Sequence, residues 1–206
     1  MKAKQHSPEA LDLTAKQEKV LEAAIHLFAE KGFERSSTHE IAERAGVAEG
    51  TLFKRFSTKK DLLLAVGIYI ASKISIPSQA REVIAILEQP HSTMEGLLRT
   101  LLMNRLTFAK KHRRMLKVLI QELPFHPELQ RLIKEAFGKT LIPAAVQAID
   151  RYKAAGQLRD LPSITIFRMV IGQLMAYALT RHVLLPELEW NDDQEIEQII
   201  DVLMRG

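Results

Sequence analysis

Apolar residues recur along this chain at intervals of three and four, and no stretch alternates strictly between apolar and polar, so the pattern predicts an all-α protein. Val20, Ala24, Leu27 and Phe28 mark a first helix from about Ala15 to Lys31, which Gly32 ends. From Ser36 to Phe56 two short helices are expected around a tight turn. A fourth helix runs through Leu62, Leu63, Val66, Ile70 and Ile74 to about Pro77. Beyond it, helices are expected near 79–88, 93–111, 113–123, 128–155, 163–184 and 192–204, punctuated by Pro90, Pro124, Pro127, Pro162 and Pro186. Pro143, just after Gly138, predicts a kink or break within 128–155.

The Ser36–Phe56 stretch carries the most specific local signals. Ser37-Thr38-His39-Glu40 has the form of a capping box, in which hydroxyl and carboxylate each satisfy a free backbone N–H. Ile41, Ala42 and Ala45 supply the apolar side of that helix. Gly46 stands where a positive φ is needed, and Val47 suits burial in the turn. In the following helix Leu52 and Phe56 point inward, leaving Glu49, Gly50, Thr51, Lys54 and Arg55 to solvent or a partner. Two short helices held at a steep angle, with small residues at the leading end of the second and cations behind, form the geometry that enters a DNA major groove. Thr58 and Asp61 form another cap pattern, with Lys59 and Lys60 in a first helical turn where the helix dipole disfavours cations. A DNA phosphate would account for them; two solvated surface lysines are the plain alternative.

The span from about Lys16 to Leu63, with VLEAAIHLFAEKGFERSSTHEIAERAGVAEGTLFKRFSTKKDLL at its centre, resembles the N-terminal domain of the tetracycline-repressor (TetR) family of bacterial regulators. The resemblance implies a three-helix helix-turn-helix head that grips an operator and a divergent helical body that dimerises and binds a small effector. It divides the chain into an arm at 1–14, a DNA-binding domain at 15–58 and an effector-binding and dimerisation domain at 59–206. Glu49, Gly50 and Thr51 fall where the family faces base edges, with His39 beside them, and Lys59 matches its phosphate-contacting lysine. The DNA-facing set is Ser37, Thr38, His39, Arg44, Glu49, Gly50, Thr51, Phe53, Lys54, Arg55 and Lys59. Two residues depart from the family pattern. Ala48 stands where serine is usual, and Phe53 replaces a tyrosine whose hydroxyl would meet a phosphate, so weaker anchoring is expected there.

Charge supports this placement through its position more than its total. The formal net charge is +4 over 206 residues, yet between Arg44 and Lys60 five cations (Arg44, Lys54, Arg55, Lys59 and Lys60) face one acid, Glu49. That surplus suits a phosphate-facing surface and a steep salt dependence. With no cysteine, the chain has neither disulfides nor thiolate metal sites. No metal or cofactor is expected, and no H-E-x-x-H, G-x-S-x-G or phosphate-cradling glycine loop suggests an enzyme. The N-terminus lacks the apolar core of a signal peptide. The apolar stretch near Met169–Thr180 reads as too short to span a bilayer, so a cytoplasmic location without a membrane partner is expected.

In the body, Ile164, Phe167, Ile171, Leu174, Met175 and Ala178 form one apolar face, and Ile196, Ile199, Ile200 and Leu203 another. Together these are expected to build a four-helix dimer interface, the alternative being internal core. A pocket is expected among Met103, Phe108, Met115, Leu119, Phe137, Phe167 and Tyr177, with Asn104, Gln121 and Gln173 as polar contacts, although ordinary core packing is the better reading of any single one of them. Such a lining favours a lipophilic effector. The expected function is a dimeric, ligand-responsive regulator, most simply a repressor of a palindromic operator. A helical carrier or sensor that no longer binds DNA is the competing reading.

Overall fold

The computed structural model describes residues 13–205, apart from the side chains of Leu132 and Ala136. Eleven α-helices run in order through them: α1 (Ala15–Lys31), α2 (Thr38–Ala45), α3 (Glu49–Arg55), α4 (Lys59–Lys73), α5 (Ile76–Glu88), α6 (Met94–Lys111), α7 (Arg113–Glu122), α8 (Pro127–Phe137), α9 (Leu141–Ala154), α10 (Ser163–Leu179) and α11 (Asp192–Arg205). No strand occurs among the described residues. The arm expected at 1–14, with Lys2 and Lys4, lies outside those residues except for Leu13 and Thr14. Thr14 is the N-cap of α1, accepting the Gln17 N–H in a capping box.

Two expected boundaries shift for identifiable reasons. The long helix anticipated at 128–155 is two helices, α8 and α9. At Gly138 the amide donates to the Lys134 carbonyl at 2.8 Å, and a Cβ would stand 2.6 Å from that same oxygen, so the turn requires glycine. Pro143 then falls in the first turn of α9, where its missing N–H has no intrahelical partner to lose. After α4, Ser75 adopts a φ of 50°, the left-handed conformation that ends the helix before α5 begins.

The chain forms two compact units. The first unit contains residues up to Ile76 together with Arg114–Leu132; the second contains Pro77–Arg113 and Ile133–Gly206. Helix α4 and most of α7 and α8 therefore belong with the head.

In the first unit α1 packs across α2 and α4, and α2 against α3. Leu21, Ala24, Ile25 and Phe28 of α1, Ile41 of α2, Leu52 of α3 and Leu62, Leu63, Val66 and Ile70 of α4 are all buried. A fully buried aliphatic side chain contributes about 1.5–3 kcal/mol, so this cluster holds the small helices in place. Polar groups on its rim join α1 to α4. Tyr69 Oη donates to Glu22 at 2.7 Å, and burial together with that carboxylate pushes the phenol up to about 12. Helix α8 adds Leu129, which is buried against α4 where Gly67 leaves room: a Cβ at Gly67 would overlap Leu129 Cδ2.

The second unit is a bundle of α5, α6, α9, α10 and α11 around Leu97, Leu98, Leu102, Ala148, Ile149, Ile196 and Ile200. Arg99 grips Glu197 with two parallel hydrogen bonds of 2.6 Å, joining α6 to α11. Tyr177 donates to Asp192 at 2.7 Å and meets Trp190 edge-on, joining α10 to the start of α11. Between α10 and α11 the chain passes through a π-helical turn, Thr180–Leu184.

Candidate DNA-binding surface and effector body

The capping box read from the sequence forms. Ser37 Oγ accepts the Glu40 N–H at 3.1 Å, and Glu40 accepts the Ser37 N–H at 2.9 Å. Glu40 also pairs with Lys31. Lys31 and the Ser37 backbone and hydroxyl hold this carboxyl down at about 2. Gly46 closes α2 in the left-handed conformation, φ 68° and ψ 35°, and turns the chain into α3. Helix α3 begins without a side-chain cap, because Ala48 has no oxygen to offer.

The outward face of this pair contains the expected residues. Gly50, Thr51, Phe53, Lys54 and Arg55 of α3 are exposed, as are Ser37, His39 and Arg44, while Leu52 and Phe56 turn inward. Phe53 leaves 43% of its surface open. Glu49 differs from the rest. Thr38 donates to its Oε1 at 2.7 Å, and His39 Nδ1 stands 3.5 Å from its Oε2. The one acid of the basic segment is thus engaged across the turn, where it ties α2 to α3. Lys59 is also held: its ammonium donates to the Glu34 carbonyl at 3.1 Å and lies 4.4 Å above the Phe33 ring. Two of its three donors remain for an anion. Lys60, by contrast, pairs with Glu128 at 2.9 Å.

Sequence reading missed two residues here. Glu122, at the end of α7, is 8% exposed and accepts the Phe33 N–H at 3.2 Å. His126 Nε2 approaches the other Glu122 oxygen at 3.4 Å, and its ring meets Phe33 edge-on at 5.4 Å. An acid four residues before a histidine around Pro124 looks like ordinary loop polarity, and only the long-range packing reveals its partner.

The residues expected to line a pocket are divided between the units: Met115, Leu119 and Gln121 in the first, Met103, Asn104, Phe108, Phe137, Phe167, Gln173 and Tyr177 in the second. Met103 and Gln173 are exposed. Asn104 is already satisfied, donating to Glu82 at 2.5 Å and accepting from Arg105 Nε at 2.8 Å. Burial pushes the Arg105 guanidinium down and Glu82 opposes that. Tyr177 is committed to Asp192, whereas Gln121 keeps a buried Oε1 with no described partner. A cleft in the second unit is lined by Met94, Leu98, Ile166, Met169, Val202 and Leu203 among others, and by none of the ten expected residues.

The expected dimer set also separates. Ile164, Ile171 and Met175 are 53%, 37% and 45% exposed on α10, with Phe167 and Leu174 half-buried between them and the core. Ala178, Ile196 and Ile200 are buried within their own chain, and Ile199 and Leu203 pack partly against that core. The apolar stripe of α11 therefore faces inward, and its exposed residues are Asp193, Gln194, Glu197, Gln198, Asp201, Val202 and Arg205. The stretch expected to be too short for a bilayer is longer than its central run. Ser163–Leu184 forms 22 continuous helical residues, long and apolar enough by length and composition to cross a membrane, and only 22% of its most apolar window is buried in the chain. Among the described residues no three His, Asp or Glu side chains cluster as metal ligands.

Residues 20–66, which contain α2, α3 and the cationic start of α4, match the sequence model of bacterial regulatory proteins of the tetR family. Over these residues the chain is similar to the TetR family. Among similar proteins, the HTH-type transcriptional regulator YvdT of Bacillus subtilis is 42% identical over 53 residues, 26% of this chain and 27% of that protein. The match thus spans about a quarter of that relative's length. YezE of Bacillus subtilis, also an HTH-type transcriptional regulator, is 28% identical over 144 residues, 68% of this chain and 71% of the relative. The likeness in fold extends over the body as well. The transcriptional regulator FadR of Bacillus subtilis, in its crystal structure with stearoyl-CoA, superposes with a TM-score of 0.66 at 19% identity, covering 92% of this chain and 98% of that one.

Proposed function

We propose that this protein is a homodimeric DNA-binding transcriptional regulator, a repressor that holds a palindromic operator and releases it when a lipophilic effector binds. The observation that carries the reading is the outward face of α2 and α3. Small and cationic side chains are exposed together there, and the single acid is retained by Thr38 and His39. On this reading Gly50 and Thr51 approach base edges, and Lys54, Arg55 and Lys59 hold phosphates.

The exposed apolar face of α10 supports the dimer. Ile164, Ile171 and Met175 cost free energy in water and gain it against a second copy, and two heads on one two-fold axis read two half-sites about a helical turn apart. The likeness to FadR bound to stearoyl-CoA supports an effector of the long-chain acyl class. Release follows if that effector favours a state in which the heads no longer match successive grooves. A bias of about 1–3 kcal/mol changes operator affinity roughly 5- to 150-fold. Such a regulator acts in the cytoplasm and needs no cofactor.

The carrier reading draws on the uncapped Ala48 and on Phe53, which lacks a hydroxyl. Fluorescence anisotropy with duplexes from the chain's own upstream region, titrated with stearoyl-CoA and with stearate, separates the two. Tight binding reversed by either acyl ligand supports the regulator; acyl binding without any duplex binding supports the carrier.

A further inference from the structure

A buried carboxylate on α7 connects to the cation expected to hold DNA. Glu122 Oε1 accepts the backbone N–H of Phe33 in the turn between α1 and α2, 89 positions away in sequence. The ring of Phe33 is itself 8% exposed and is fixed from two sides: Phe28 meets it at 5.4 Å and 71°, His126 at 5.4 Å and 81°. The Lys59 ammonium rests above the ring at 4.4 Å while donating to the carbonyl of the next residue, Glu34. Burying a carboxylate is costly without compensating contacts, and here the Phe33 amide donates to one Glu122 oxygen while His126 Nε2 stands 3.4 Å from the other. Glu122 thus sets the position of the surface on which Lys59 stands.

We infer that Glu122 is a positioning residue for DNA binding: through Phe33 it aims the Lys59 ammonium at an operator phosphate. This rests on the DNA-binding reading of α2 and α3. Helix α7 is well suited to the role, because its C-terminal end carries Glu122 and its N-terminal end joins α6 at His112, where the chain passes from one compact unit to the other. A displacement of α7 along its axis withdraws the acceptor from the Phe33 N–H, and Phe33 and Lys59 then lose their common support. The α7–α8 corner is secured for this by Lys60–Glu128 at 2.9 Å and by Leu129 seated against Gly67.

The test is a double-mutant cycle on the full-length protein, using Glu122→Ala, Glu122→Gln and Lys59→Ala with duplex affinity measured over a range of salt. Glu122→Ala should weaken operator binding about 2- to 13-fold, the equivalent of one net hydrogen bond. It should also reduce the log–log salt slope by up to about 0.9, the value of one phosphate contact. With Lys59→Ala already present, Glu122→Ala should change neither quantity further. Glu122→Gln, whose amide oxygen still accepts from Phe33, should keep most of the affinity and the slope; it also serves if the alanine variant does not fold. Full additivity with Lys59→Ala, or an unchanged slope in Glu122→Ala, overturns the inference while leaving DNA binding intact. A wild-type protein that binds no duplex at any salt overturns the DNA-binding reading, and this inference with it.

Discussion

Thr38 Oγ1 donates to Glu49 Oε1 at 2.7 Å, tying the first residue of α2 to the first residue of α3. Helix α3 therefore takes its angle from a polar contact as well as from buried Leu52. Thr38→Val removes the donor without changing the side-chain shape. Stability should fall by about 0.5–1.5 kcal/mol in urea unfolding, the usual net worth of a hydrogen bond. Glu49 then keeps only the approach of His39 at 3.5 Å, and on the DNA-binding reading footprints on variant operators should show relaxed preference beside Gly50 and Thr51.

Ala48 leaves α3 uncapped. Its backbone is already extended, φ −67° and ψ 141°, so a serine there needs no rearrangement. Ala48→Ser should raise stability by about 0.5–2 kcal/mol, measured as a shift in the thermal midpoint. On the DNA-binding reading the new hydroxyl can also meet a phosphate, so affinity should rise and not fall.

Glu40 gives the head a defined acid dependence. Its carboxyl lies near 2 in the fold, held by Lys31 and by the Ser37 backbone and hydroxyl, below the ordinary value of 4.5. A depressed carboxyl stabilises the folded state fully above its ordinary value and loses that contribution as pH falls from 4.5 toward 2. Glu40→Gln should accordingly unfold with a shallower pH dependence across that window, as followed by circular dichroism, and match the wild-type slope above it.

Ile171 lies on the exposed apolar face of α10. Ile171→Glu places a charge where a second copy is proposed to pack, and a buried unpaired charge is strongly unfavourable. Sedimentation should show a monomer with unchanged helical content. Affinity for a palindrome should fall to that for a single half-site.

Much of the head could be read from local chemistry. The Ser37 and Thr58 capping boxes, the left-handed Gly46 and the inward pair Leu52 and Phe56 each depend on neighbours within four residues, which periodicity and spacing describe directly. The body was less legible because inward and outward apolar stripes look alike in sequence. Ile196 and Ile200 repeat at helical spacing as well as Ile171 and Met175 do, yet the first pair is core and the second is surface. Glu122 was hidden for a different reason: its partner is an amide at Phe33, and no side-chain pattern marks a backbone donor. Lys60 shows the same limit from the other side, since its position in the first turn of α4 left a phosphate or plain solvent open and the fold supplies Glu128.

The central claim is sequence-specific DNA binding by a two-fold dimer, and selection of bound duplexes from a random pool, at two salt concentrations, tests it most directly. The account predicts an enriched palindrome whose half-sites lie about one helical turn apart, with weaker recovery at the higher salt. Recovery of unenriched sequence at both salts would contradict it and leave the carrier reading standing.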